Sequence, residues 1–316
     1  MRKEVFTTML TPYKNGEVDY ETVEKLVRWY WQEGCDGIFA SCLSSEIFCL
    51  DLSDRVRLVR EVIRTCRELA ETDKSRAPMK VVASGHISDS FEDQVAELTA
   101  IAAEGPDALI LISNRMDIEN TSDDQWIADA ERLCAALPKE IPLGIYECPV
   151  PYTRSLTEPI LRWCASNPRF VYVKDICSNL ELIQKRLSWC EGSNLKLYNA
   201  NSQTLLDSVE MGAAGFCGIM GNVHPYFHAK LLHGELSSEE AKELQVYISA
   251  LTSMVERTTY PACAKYFLAT HEGIPVETYC RSIDNDDFTD YNKYVVDQMA
   301  KLTDYVRETV LSSGSN

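Results

Sequence analysis

Nowhere in the 316-residue chain is there anything close to the roughly twenty apolar residues that span a bilayer, and apolar runs such as residues 108–112 are far shorter. The opening, Met1-Arg-Lys-Glu-Val-Phe6, holds no apolar signal region, so neither membrane insertion nor export is expected. Positive charge is also scarce: 31 Lys and Arg stand against 48 Asp and Glu, a formal net charge of −17. Such a surface repels phosphate backbones and anionic lipid, which sets nucleic acid and membrane aside as partners. It leaves room for an anionic small molecule wherever a site carries its own positive groups.

The twelve cysteines include no Cys-x-x-Cys pair. Many fall inside helix or strand patterns, which reads as reduced, mostly buried thiols of a cytoplasmic protein. Neither a phosphate-cradling glycine loop nor a dinucleotide fingerprint opens a strand-to-helix turn, and no cofactor is expected. His224 and His228 share i, i+4 spacing but have no acidic third ligand nearby, so no metal is expected either.

What the chain does have is a cadence. Strand patterns at 5–10, 38–41, 79–83, 108–112, 142–146, 169–175, 195–198 and 214–219 alternate with helical periodicity at 19–33, 53–70, 90–103, 121–136, 156–165, 179–189, 202–211 and 224–232. Eight strand-helix units imply a parallel sheet, and that number favours a closed α/β barrel, the (β/α)8 TIM barrel, over an open doubly wound sheet. The alternation stops after Gly234. Residues 237–257, 261–270 and 287–311 are helical without strands between them, and 311–316 reads as a frayed tail. The expected organisation is therefore a barrel over 1–234 and a C-terminal helical region over 235–316.

In this barrel class active sites gather at the C-terminal strand ends. Those ends nominate residues 41–46, Gly85 and His86, Asn114 and Arg115, Tyr146, Lys174, 198–201 and 218–222. Within Arg169-Phe-Val-Tyr-Val-Lys-Asp175, alternation places Phe170, Tyr172 and Lys174 on one face and Val171 and Val173 on the other. A lysine on a buried strand face finds an acidic partner or gives up its proton more readily, because desolvation disfavours the ammonium; that is how a Schiff-base lysine is made. Tyr146 ends the preceding strand at similar height, within reach to exchange protons with an imine-forming amine.

Thr11-Pro-Tyr13, Asp36-Gly-Ile38, Tyr146-Glu-Cys-Pro149, Val173-Lys-Asp175 and Gly218-Ile-Met-Gly-Asn222, in this order over nearly the whole chain, resemble the dihydrodipicolinate synthase and N-acetylneuraminate lyase family. The resemblance implies a usually homotetrameric barrel whose strand-six lysine forms a Schiff base with pyruvate or another 2-oxo acid. Lys174 would be that nucleophile and Tyr146 the proton shuttle. Members usually carry Gly-Thr-Thr-Gly-Glu or Gly-Ser-Thr-Gly-Glu after strand two to hold the 2-oxo acid carboxylate. Here the segment is Cys42-Leu-Ser-Ser-Glu46: Leu43 replaces the first hydroxyl, Ser44 keeps the second and Ser45 replaces a glycine. Ser44 and Ser45 are the carboxylate-binding candidates, and Glu46 is expected to stabilise its loop. The relay tyrosine of the synthases is missing from Ser113-Asn-Arg-Met116, and their arginine after the Tyr-x-x-Pro segment is displaced to Arg154. Both changes count against dihydrodipicolinate synthesis itself.

Arg115, with Arg154 beside it, is a candidate to grip a distal carboxylate, and His86 to act as acid or base; the plainer readings are a loop arginine paired with Asp117 or Glu119 and a hydrogen-bonded structural imidazole. Cys217, on the last strand, completes the substrate-binding candidates. The expected activity is a class I, Schiff-base lyase or aldolase acting on a 2-oxo acid, in a homo-oligomer (tetramer or dimer). The alternatives are a 2-oxo sugar acid dehydratase or decarboxylase using the same imine, and a non-catalytic barrel that binds a 2-oxo acid.

Overall fold

Several helices of this chain begin where a short polar side chain takes up a free backbone N–H. Asp19, Ser122, Asn179 and Ser237 each accept from the amide three residues on. The computed structural model describes residues 2–311; residues 312–316, in the expected tail, lie outside the described residues. In order run β1 (Glu4–Thr8), α1 (Tyr20–Gln32), β2 (Gly37–Ala40), α2 (Leu52–Thr72), β3 (Lys80–Ser84), α3 (Phe91–Ala102), β4 (Ala108–Ile112) and α4 (Asp123–Ala136). Then come β5 (Leu143–Tyr146), α5 (Glu158–Ser166), β6 (Phe170–Asp175), α6 (Leu180–Trp189), β7 (Lys196–Asn199), α7 (Leu205–Glu210), β8 (Gly215–Gly218) and α8 (Pro225–Leu232). The strands pair in parallel in sequence order, and β8 returns to β1 with Phe216 opposite Val5, closing the barrel.

The fold is thus the (β/α)8 barrel that the alternation implied. Helices α9 (Ser238–Glu256), α10 (Ala262–His271) and α11 (Asp290–Tyr305) follow it with no strand between them. The segment after β1 holds a small hairpin, Tyr13–Lys14 against Glu17–Val18, turned by Asn15 and Gly16 at φ of 51° and 83°. Asn-Gly suits such a left-handed two-residue turn.

Two apolar layers form. One lies between the strands' outer faces and the helices. The other fills the barrel, where Tyr172 and Tyr198 stack at 4.4 Å and Phe6 meets them edge-on at 5.3 and 5.1 Å. Strand β6 departs from simple alternation. Leu143 pairs with Phe170 but Gly144 pairs with Tyr172, so Val171 is an extra, bulged residue. Phe170 therefore faces outward onto Trp163 of α5, 5.4 Å between rings, while Tyr172 belongs to the interior layer. The expectation that Phe170 shares a face with Tyr172 and Lys174 is corrected by this one-residue insertion. Gly144 is what admits it: a Cβ there would lie 2.4 Å from Ile110 Cδ1 and 2.9 Å from Tyr172 Cβ.

Candidate active site

Tyr146 and Lys174 are Cα partners at the C-terminal ends of β5 and β6. Lys174 is only 5% exposed, and its Nζ lies 4.1 Å from the centre of the Tyr146 ring and 5.6 Å from that of Phe39. No carboxylate pairs with this amine among the described residues. Its polar surroundings are a phenol and thiols. Burial pushes the Tyr146 phenol well above its ordinary pKa, and the nearby Cys148, Cys42 and Cys217 push the same way. Cys217 is fully buried beside Lys174 and Tyr172, and burial lifts its thiol to about 11. It is a neutral floor rather than a nucleophile.

The strand ends are tied from behind. Asp175, next to Lys174, receives Arg186 Nη1 of α6 at 2.6 Å, and Glu147, next to Tyr146, receives the same guanidinium at 2.9 and 2.7 Å. Glu147 also accepts the Leu156 and Ile176 amides. All three ionic side chains are at most 2% exposed. One guanidinium therefore clamps the residues adjoining both candidate catalytic groups, the arrangement that holds a site to sub-ångström tolerance.

Lys174 borders a cavity of about 530 Å³ whose lining also includes Tyr146, Ser44, Leu43, Phe48, Val150 and Ile219. Ser44 Oγ donates to Thr8 Oγ1 at 3.0 Å. Across from it stands Tyr260, from the segment before α10, whose hydroxyl lies beside Ser44 and accepts from Asn222 Nδ2 at 3.1 Å. Asn222 is itself fixed by Thr8 O and by the Tyr30 hydroxyl. Glu46, at φ 60°, lies at the cavity edge but is fully engaged: Oε1 takes Lys265 Nζ at 2.9 Å, and Oε2 takes the Arg281 and Ser282 amides at 2.6 and 2.8 Å. It pins the C-terminal region over the barrel mouth, the loop-stabilising part expected of it.

The other candidates lie elsewhere. The Ser45 hydroxyl donates to Met9 O and accepts from Cys42 N, bracing the loop instead of lining the cavity. His86 is fully buried, with Nδ1 at 3.0 Å from Gln94 Oε1 and Nε2 accepting from Ile112 N; burial depresses its pKa to about 4. Arg115 reaches Asp89 at 2.9 Å and borders a separate cavity of about 430 Å³, so its partner is neither Asp117 nor Glu119. Arg154 pairs with Asp123 at 2.9 Å. Asn114 clamps the loop after β5, donating to the carbonyls of Cys148, Val150 and Tyr152. His224 and His228 are buried and bonded to Thr303 and Ser202, and no cluster of metal-ligating side chains occurs among the described residues.

Tyr260 and Arg186 escaped the sequence reading. Nothing local marks Tyr260 except its place before Pro261, since its proximity to Ser44 is made by a chain separation of more than two hundred residues. The charged Glu147 inside the Tyr-x-x-Pro segment and Asp175 beside Lys174 were a usable signal for a buried cationic partner.

Comparison with known proteins bears on the family and the fold. Residues 1–71 and 135–287 match the Dihydrodipicolinate synthetase family. The 4-hydroxy-tetrahydrodipicolinate synthase of Nitratidesulfovibrio vulgaris (Miyazaki F) is 25% identical over 278 residues, covering 86% of this chain and 89% of that protein. Among solved structures, the 4-hydroxy-tetrahydrodipicolinate synthase of Methylacidiphilum fumariolicum SolV superposes with a TM-score of 0.83 at 18% identity, covering 99% of each chain. CdNal of Clostridium difficile, solved in complex with mannosamine, gives 0.79 at 16% identity over 95% of this chain and 98% of that one. At such identities the structural likeness speaks for the fold.

Proposed function

Because the chain belongs to the Dihydrodipicolinate synthetase family and is an enzyme of its lyase and aldolase class, we propose that it is a Schiff-base lyase acting on pyruvate or a related 2-oxo acid, and not a dihydrodipicolinate synthase. The observation that carries this reading is Lys174 itself: a buried amine without a carboxylate partner, at a strand end, against a phenol and under a cavity. An ordinary structural lysine in such a place would be paired.

In this reading the unprotonated amine of Lys174 adds to the substrate ketone, and loss of water leaves a protonated imine. Carbon–carbon cleavage sends its electron pair to the imine nitrogen as an enamine, and the reverse sequence builds the bond. Tyr146 carries protons between the imine, the leaving oxygen and the enamine carbon. Ser44, with the amides of its turn, holds the substrate carboxylate; Cys217 closes the floor, and Ser45, His86 and Arg115 serve as scaffold. The departures from the synthases support the negative half of the proposal: Leu43 stands where a hydroxyl would be, and neither Arg115 nor Arg154 lines the cavity. The homo-oligomer and the cytoplasmic location belong to the same proposal, the latter supported by twelve unpaired cysteines.

Borohydride added with pyruvate tests it. The expected result is a single covalent increment on Lys174, lost in Lys174→Ala. A ligand that raises the melting temperature yet is never trapped, across a panel of 2-oxo acids, would support a binding protein instead.

A further inference from the structure

We infer that the second substrate, the aldehyde joined to or released from the 2-oxo acid, carries an apolar body such as an aryl or alkyl group, and that polyhydroxylated and dicarboxylic partners are discriminated against. This rests on the imine reading above. The cavity is far larger than a three-carbon acid needs, so most of it is filled by something else. Its lining is mostly apolar, with Leu43, Phe48, Pro149, Val150, Ile176 and Ile219 among it, and the hydroxyls of Ser44 and Tyr260 are engaged with Thr8 and Asn222.

The charged lining residues are Lys174, which is consumed by the imine, and Glu46, whose two oxygens are occupied by Lys265, Arg281 N and Ser282 N. The arginines around the mouth are committed too: Arg115 to Asp89, Arg154 to Asp123, and Arg281 to the carbonyls of Gly16 and Cys49. A distal carboxylate would meet no cation there, and a row of hydroxyls would exchange water for aliphatic side chains. Val150 is 40% exposed, an apolar surface that an apolar ligand would cover.

On the cleavage side the preferred substrate is a 4-aryl-4-hydroxy-2-oxobutanoate. As its C2 ketone becomes the protonated imine of Lys174, Tyr146 gives its phenol proton to the hydroxyl that leaves as water and is left as the phenolate. The C3–C4 bond then breaks toward the imine nitrogen, and the C4 hydroxyl gives its proton to Tyr146 as the aryl aldehyde departs. The enamine takes a proton at C3, and water returns pyruvate and the amine. No oxidant, reductant or metal enters the balance.

The experiment has two arms. Pyruvate release is followed for three 4-hydroxy-2-oxo acids carrying at C4 a phenyl group, a polyhydroxylated chain or a carboxylate. The expected kcat/KM for the phenyl compound exceeds the others by at least about tenfold; equal or reversed ranking overturns the inference. In Lys174→Ala, where no imine can form, binding of 4-phenyl-2-oxobutanoate and of 2-oxoglutarate is compared by calorimetry. Tighter binding of the phenyl compound by about fivefold or more supports the inference even if trapping fails in the native enzyme, and tighter 2-oxoglutarate binding overturns it even if trapping succeeds.

Discussion

Gly144→Ala is a one-atom probe of whether the bulge in β6 is what presents Lys174. Its backbone is not in the left-handed region, so the alanine meets no torsional barrier and gains about 0.4–1 kcal/mol from a less flexible unfolded chain. Against this, the new Cβ would lie 2.4 Å from Ile110 Cδ1, 2.9 Å from Tyr172 Cβ and 3.0 Å from Tyr172 O. Overpacking of this kind costs about 1–3 kcal/mol, so the clash wins and a net loss of about 1–2 kcal/mol is expected in urea unfolding. Two of the three contacts are with the strand that carries Lys174, and a displacement approaching 1 Å should slow borohydride trapping of pyruvate by about tenfold or more. Ile110→Val removes the Cδ1 atom responsible for the closest contact. In the double variant the stability losses should sum to less than the singles by about 0.5–1 kcal/mol, while trapping stays slow because the Tyr172 contacts persist. A Gly144→Ala protein with unchanged urea midpoint and unchanged trapping rate would refute the assignment of the bulge as the device that aims the lysine.

Two further perturbations test the scaffold. Arg186→Met leaves Glu147 and Asp175 buried without their cation, and a loss of about 3–5 kcal/mol in denaturant unfolding is expected; a midpoint within error of the native protein would show that the clamp contributes nothing. Acid should act through imidazoles: burial holds the pKa of His86 and of His228 at about 4. The unfolded chain, with histidines near 6.5, takes up protons first as pH falls. Their contribution is complete above about pH 6.5 and shrinks toward pH 4, by about 2 kcal/mol per imidazole at pH 5. Thermal melts at pH 7 and pH 5 should show this loss, and His86→Gln with His228→Gln should reduce it, while the buried His224, its pKa also depressed by burial, keeps its share; an equal pH slope in that variant would rule the two imidazoles out.

The barrel was legible because its signal is repetitive. Eight apolar strand patterns separated by amphipathic helices admit few topologies, and helices α1 to α4 and α6 each open on a side-chain cap. Even so, the rule that placed Lys174 inward failed locally. Strict alternation puts Phe170 with Tyr172, and a single bulged Val171 separates them. Lys174 still shares the inward face of Tyr172 because the two lie on the same side of the irregularity. Periodicity has no term for an insertion, and the glycine that permits this one sits on the neighbouring strand. Tyr260 was illegible for a related reason: the helical region is readable as helices, but where its linker meets the barrel mouth is set by long-range pairs such as Glu46 with Lys265.

His86, Arg115 and Arg154 were misplaced for one physical reason, the assumption that a charged or basic group near a strand end faces the ligand. In a chain of net charge −17, cations are outnumbered, and the carboxylates around them take them up. Arg55 goes to Glu97, Arg115 to Asp89, Arg154 to Asp123, Arg186 to Glu147 and Asp175, and Lys265 to Glu46. Each pair holds together the frame around the barrel's catalytic end, and each removes a positive group from the set available to bind substrate. Among the described residues Lys174 is the one cation on the cavity wall. The excess of acid over base and the apolar cavity are therefore two faces of one constraint: the scaffold takes up the arginines, and the amine that no carboxylate claims is the one left to do chemistry.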